Sequence, residues 1–200
     1  MVIKSKKELR EVLNYEYKRR KRAQIKNSIG WFLSDLIFFL HPGNSMMFTY
    51  CLRMEEYYMN KGGVLCKIMS KFLHAKHYLL QYWTGIELYP GCADIGVRVN
   101  HCKCVISKAA RIGRDSVILS DVTIGGTGGL RDDGAATIGE RVFISSGARI
   151  IGNIKIADNV VIGANSVVVK DILEPGITVA GVPARKISNQ GSELYIPETN

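Results

Sequence analysis

"ARIGRDSVILSDVTIGGT", residues 110–127, divides into three sixes, ARIGRD, SVILSD and VTIGGT, with isoleucine third in each. A helix repeats every 3.6 residues and a strand every two, so neither accounts for a period of six. Extended both ways, the frame starts with CVISKA at 104, and the three sixes follow. After an interruption, GGLRDDGA (128–135), it resumes as ATIGER, VFISSG, ARIIGN, IKIADN, VVIGAN and SVVVKD. After ILEPG (172–176) comes a last unit, ITVAGV.

The third letters are Ile106, Ile112, Ile118, Ile124, Ile138, Ile144, Ile150, Ile156, Ile162, Val168 and Val179, all aliphatic. In a chain that is 46% hydrophobic, that run of hits has a chance probability of roughly two in ten thousand. The first letters are small or aliphatic throughout. Such a repeat suits short strands joined by sharp turns, three to a triangular coil, with coils stacked at strand spacing of about 4.8 Å. Each third side chain then points inward, where β-branched Ile and Val pack well, and each coil covers the next. Small residues in "IGRD", "IGGT" and "IGAN" mark the corners where the chain bends tightly.

Residues 1–85 have a different texture. "KKELREVLNYEYKRRKRAQIKN" is rich in helix formers, and 46–83 shows two apolar-periodic segments broken by Gly62-Gly63. The expected organisation is a small α-helical region (1–85), a mainly β solenoid (86–187) with a loop insertion at 128–135, and a polar tail (188–200). The net charge of +9 is concentrated early: residues 1–30 hold ten Lys/Arg against three Glu. The cluster "YKRRKR" (17–22) lacks any accompanying nucleic-acid signature, so no nucleic-acid partner is expected. Followed by "WFLSDLIFFL" (31–40), which is about half the length of a bilayer crossing, it is compatible with peripheral contact between 17–40 and an anionic membrane. The alternative is packing of that run against the coils or another copy. The start of the chain has no apolar segment behind its charges, so a cytoplasmic protein is expected. Five cysteines form no regular framework. "HCKC" (101–104) has poor spacing for zinc, and no metal is expected.

With the hexads, the closing "SVVVKDILEPGITVAGVPARKI" (166–187) and "VTIGGTGG" resemble hexapeptide-repeat acyltransferases, whose fold is a left-handed parallel β-helix. "GIELYPG" (85–91), His101 and "VTIGGTGG" are most similar to serine O-acetyltransferases and related sugar O-acetyltransferases of surface-polysaccharide pathways. The resemblance, over roughly 85–187, implies a homotrimer with acetyl-CoA as co-substrate in a groove between neighbouring β-helices.

Acetyl transfer to a hydroxyl needs a base, and histidine suits that role. His101 is the only histidine after residue 85. By resemblance "NHCKCVIS" matches the segment that carries the family's base, with Asn100 in place of an acid and His101 one residue closer to the next hexad. Glu87 stands where a family acid pairs with that base. The resemblance also puts Ser146, Ala148 and Ala164 along the pantetheine arm, and Arg185, with Lys186 as helper, at the CoA phosphates. Backbone N–H groups around Gly125 and Gly126 are candidates for the thioester oxyanion. The serine enzymes carry an Arg-His pair where this chain has Gly134-Ala135. Arg131, Asp132 and Asp133, just upstream, with Asn100, are the candidate acceptor-binding residues. Two adjacent aspartates suit a neutral polyol better than a carboxylate, so a sugar hydroxyl is the leading expectation. The alternatives are L-serine and a non-catalytic trimeric scaffold.

Overall fold

The computed structural model describes residues 3–23, 45–101, 103–129 and 134–196. The chain divides into two compact units, residues 2–84 and 85–200. Within the first lie α1 (Lys6–Ala23), α2 (Ser45–Asn60) and α3 (Val64–Thr84). Residues 24–44, most of the run weighed for membrane contact, lie outside the described residues. No described helix is long and apolar enough to cross a membrane.

Buried ion pairs and hydrogen bonds link the helices of this unit. Arg53, buried on α2, donates through Nε and Nη2 to Glu16 of α1 at 3.0 and 2.8 Å and through Nη1 to Glu56 at 2.9 Å. Burial opposes its charge, but the two carboxylates outweigh burial and raise its pKa. One helix turn on from Cys51, the buried Glu55 meets Nδ1 of His74 at 2.7 Å and of His77 at 2.6 Å. Burial pushes Glu55 up, yet the hydrogen bonds and charge of His77 and His74 hold it below its ordinary 4.5.

In the second unit the sixes become strands of two or three residues in three parallel sheets. Sheet A stacks β1 (Ile86–Glu87), β3 (Cys104–Ile106), β6 (Thr123–Gly125), β9 (Arg149–Ile151) and β12 (Val167–Val168). Sheet B stacks β4 (Arg111–Ile112), β7 (Thr137–Ile138) and β10 (Lys155–Ile156). Sheet C stacks β2 (Arg98–Val99), β5 (Val117–Ile118), β8 (Phe143–Ile144), β11 (Val161–Ile162) and β13 (Thr178–Gly181), and β14 (Ala184–Ser188) folds back antiparallel on β13. Third letters pair with third letters: Ile106 with Ile124, Ile124 with Ile150, Ile150 with Val168. None of the eleven is more than 3% exposed. The first letters are interior too, among them Cys104, whose thiol donates to the Leu119 carbonyl at 3.1 Å.

The corner chemistry differs from the expectation. Left-handed backbone falls on the sixth letter, at Asp115, Asp121, Arg141, Gly147, Asn159 and Asn165. Asp and Asn are the non-glycine residues that tolerate it best. The fourth-letter glycines serve close approach between coils: a Cβ on Gly113 would sit 2.4 Å from the Gly139 carbonyl oxygen. In the polar segment 188–200, the described residues up to 196 pack against the coils. Ile196 is fully buried, Tyr195 stacks on Phe143 with ring centroids 4.5 Å apart, and Arg141 Nη2 donates to the Ile196 carbonyl at 2.8 Å.

Two consequences can be measured. Gly113→Ala should cost the coil unit about 1–3 kcal/mol, whereas Gly125→Ala, whose Cβ meets open space, should stay within about 0.5 kcal/mol; denaturant titrations followed by circular dichroism give both. Because the folded pKa of Glu55 is depressed, its contribution is present above its ordinary 4.5 and is lost as pH falls through the lower folded value. Thermal melts of the helical signal between about pH 6 and pH 3 should show that acid loss, and Glu55→Gln should flatten it.

Candidate active site

Register builds the site. Val99, Ile118, Ile144, Ile162 and Val179 stack one above another in sheet C. The residue two places after each of them therefore lies on the single edge where sheet C turns into sheet A. Those residues are His101, Ser120, Ser146, Ala164 and Gly181. The edge is laced vertically: Ser120 Oγ donates to Ser146 Oγ at 3.0 Å, the Gly147 N–H to the Ser120 carbonyl at 3.0 Å, and the Asn165 N–H to the Ser146 carbonyl at 2.9 Å. At about 4.8 Å per coil, His101 and Gly181 stand roughly 19 Å apart. An extended arm lying on this edge would reach from the histidine to the β13–β14 hairpin. Ser120 belongs to this row and escaped the reading of the sequence; its place two residues after a sheet C third letter was the available signal.

His101 occupies a widened corner. Val99 and Ile106 are seven residues apart, whereas Ile118 and Ile124, their partners in the next coil, are six apart. The extra residue is the one-residue departure seen in "NHCKCVIS". It makes room for an exposed His101, followed by Lys103 in left-handed backbone with φ 64°. Beneath it lies Gly85, where a Cβ would meet Lys103 Cα at 3.4 Å. Glu87, two residues beyond Gly85, pairs with Val105 and begins the outward column of sheet A: Glu87, Val105, Thr123, Arg149, Val167. Glu87 and His101 thus share the first coil and the same edge region. Both are exposed, and no hydrogen bond joins them among the described residues. Asn100 is exposed beside His101, with its N–H donated to the Ile118 carbonyl at 2.9 Å.

Other expected residues fall elsewhere. Gly125 and Gly126 follow Ile124 at the opposite edge of sheet A, where the chain turns toward sheet B, so one copy does not bring them to His101. Ala148 is a first letter and fully buried; its side chain faces the coil interior. Arg131, Asp132 and Asp133 lie outside the described residues, and Ala135 is buried. Exposed Arg185 pairs in register with Ala180, and its Nη1 donates to the Ala184 carbonyl at 3.0 Å. Lys186 is held by Glu174 at 2.5 Å, an exposed pair of the kind worth about 0–1 kcal/mol, which an incoming phosphate can displace. A cleft of about 300 Å³ runs between residues 168–174 and this hairpin. No cluster of His, Cys, Asp or Glu suited to a metal ion occurs among the described residues.

The repeat matches the family described as "Bacterial transferase hexapeptide (six repeats)" over residues 135–170. Serine acetyltransferase of Staphylococcus xylosus is 38% identical over 143 residues, covering 70% of this chain and 62% of that protein. The enzyme of a Staphylococcus epidermidis strain is 37% identical, with 70% and 63% covered. The chain therefore spans less than two thirds of the curated relatives it matches. Among solved structures, Neisseria gonorrhoeae serine acetyltransferase in complex with serine superposes with a TM-score of 0.69 at 27% identity, over 92% of this chain and 71% of that one. The Brucella abortus enzyme in complex with coenzyme A gives a TM-score of 0.71 at 25% identity, over 93% and 70%. With that shared fold, the triangular coil is the left-handed β-helix that the resemblance implied.

If the edge carries a pantetheine arm, a bulky side chain there should block it. Ala164 is exposed, so Ala164→Tyr should leave the melting temperature unchanged while weakening CoA binding more than about tenfold, measured by titration calorimetry.

Proposed function

We propose that this hexapeptide-repeat protein, a left-handed β-helix, is an acetyl-CoA-dependent O-acetyltransferase whose acceptor is the hydroxyl of L-serine. The observation that carries the reading is the edge itself: the coil unit's single histidine stands in line with Ser120, Ser146 and Ala164 and with the cationic hairpin at Arg185. The named relatives support serine over a sugar. The sugar expectation rested on Asp132 and Asp133, which lie outside the described residues, and on the Gly134-Ala135 departure; no relative reported above is named for a sugar.

In this mechanism, a ring nitrogen of His101 takes the proton of the serine hydroxyl as its oxygen attacks the thioester carbon. The tetrahedral oxyanion then collapses, the carbon–sulfur bond breaks, and the imidazolium returns the proton to the departing CoA sulfur. Glu87 acts as a positioning residue, accepting from the other ring nitrogen and stabilising the imidazolium. Lys103, exposed two residues from His101, supplies a cation for the serine carboxylate in place of the missing Arg-His pair. The N–H groups around Gly125 and Gly126 would serve the oxyanion from a neighbouring copy in a homotrimer, because within one copy they flank the far side of sheet A.

Release of free CoA thiol from acetyl-CoA, scanned over L-serine, hexoses and buffer, tests the acceptor. Serine-dependent turnover is expected, with His101→Ala lowering kcat by about 10²–10⁴-fold and Lys103→Ala raising KM for serine about tenfold with little effect on kcat. Turnover on a sugar but not on serine would return the acceptor to the sugar class.

A further inference from the structure

Helix α3 has a buried face and, apart from it, an exposed apolar one. Leu73, His77 and Thr84 are buried within the helical unit. About a third of a turn round the helix, Leu65, Ile68, Phe72, Leu79 and Trp83 form a stripe at three-, four- and seven-residue spacing, each between 58% and 82% exposed. Val64 and Tyr82 widen it at either end and are 75% and 83% exposed. Single exposed apolar residues need no explanation, but a continuous stripe along a 21-residue helix does.

The charges around the stripe identify its partner. From Tyr57 to Ile86 the chain has no Asp or Glu, and it carries Lys61, Lys67, Lys71 and Lys76. On a helical projection Lys67 and Lys71 flank the stripe on one side and Lys76 on the other. Long lysine stems can cover apolar surface while their ammonium groups reach outward, and Tyr82 and Trp83 have the amphipathic rings favoured at a lipid–water boundary. A second copy on this face would bring lysines against lysines with no carboxylate on either helix to offset them. We propose that α3 lies in the plane of an anionic lipid surface, with the Leu65–Trp83 stripe among the acyl chains and Lys67 and Lys71 at the headgroup phosphates. This site is independent of the acceptor and differs from the 17–40 segment weighed from sequence.

Co-sedimentation of the full chain with vesicles tests it, comparing phosphatidylcholine alone with three parts phosphatidylcholine to one part phosphatidylglycerol. Binding to the anionic vesicles is expected, weakened by salt. It should fall at least about tenfold both for Phe72→Glu with Leu79→Glu and for Lys67→Glu with Lys71→Glu, with molecular mass and melting temperature unchanged. Absence of binding, equal binding to both vesicles, or binding that survives the apolar substitutions would overturn the proposal. So would a change of oligomeric mass in Phe72→Glu with Leu79→Glu, which would make the face an interface between copies. A fall of several degrees in melting temperature would mean that the chain covers this face itself, and would equally overturn it.

Discussion

The in-register stack of inward aliphatic side chains is the interaction on which everything else depends. Ile106, Ile124, Ile150 and Val168 in sheet A, with their counterparts in sheets B and C, exclude water from the prism only if each coil sits directly on the one below. A shift of one residue would turn every third letter outward and present a second letter such as Arg111, Thr137 or Lys155 to the core. The cost of that shift fixes the register, and a fixed register turns a one-dimensional repeat into straight rows of surface side chains. Individual strands of two or three residues would be negligible alone; they persist because neighbours on both sides hold them.

The candidate site follows from that constraint. His101, Ser120, Ser146 and Ala164 are not neighbours in the chain, and no loop gathers them. They align because each follows by two residues a member of the inward sheet C stack from Val99 to Val179. The one irregularity in the row, the seven-residue step from Val99 to Ile106, occurs where chemistry is proposed, at the corner that carries His101. A regular six would carry the chain through that corner with one residue fewer. Asp121 and Arg149, paired at 3.0 Å close to the same edge, keep their charges to each other, which suits the uncharged arm proposed for that edge. The cations proposed for the phosphates, Arg185 and Lys186, stand at its far end, on β14.

Much of this was legible in the residues. The eleven third letters predicted the core, and each is buried. The break near Gly85 and the interruption at 128–135 were visible as changes of period. The functions of the corner residues were not, because a hexad does not say which letter adopts the left-handed conformation; that depends on where hydrogen bonding between coils forces the turn, at the sixth. The burial of Ala148 was not legible for a related reason: a small residue reads alike whether it lines a groove or fills a corner of the interior. Gly125 and Gly126 lie only a few residues along the chain from Ser120, but a triangular section puts them on different edges. The burial of Ile196 was hidden because one isoleucine among polar residues has no period to reveal it.

The central claim is that the sheet C to sheet A edge binds the thioester carrier with its sulfur toward His101. A crystal structure of this chain with coenzyme A tests that most directly. The sulfur is expected within hydrogen-bond reach of His101, the pantetheine arm along Ser146 and Ala164, and the phosphates near Arg185. An arm bound along the Gly125–Gly126 edge of the same copy, with its sulfur remote from His101, would contradict it.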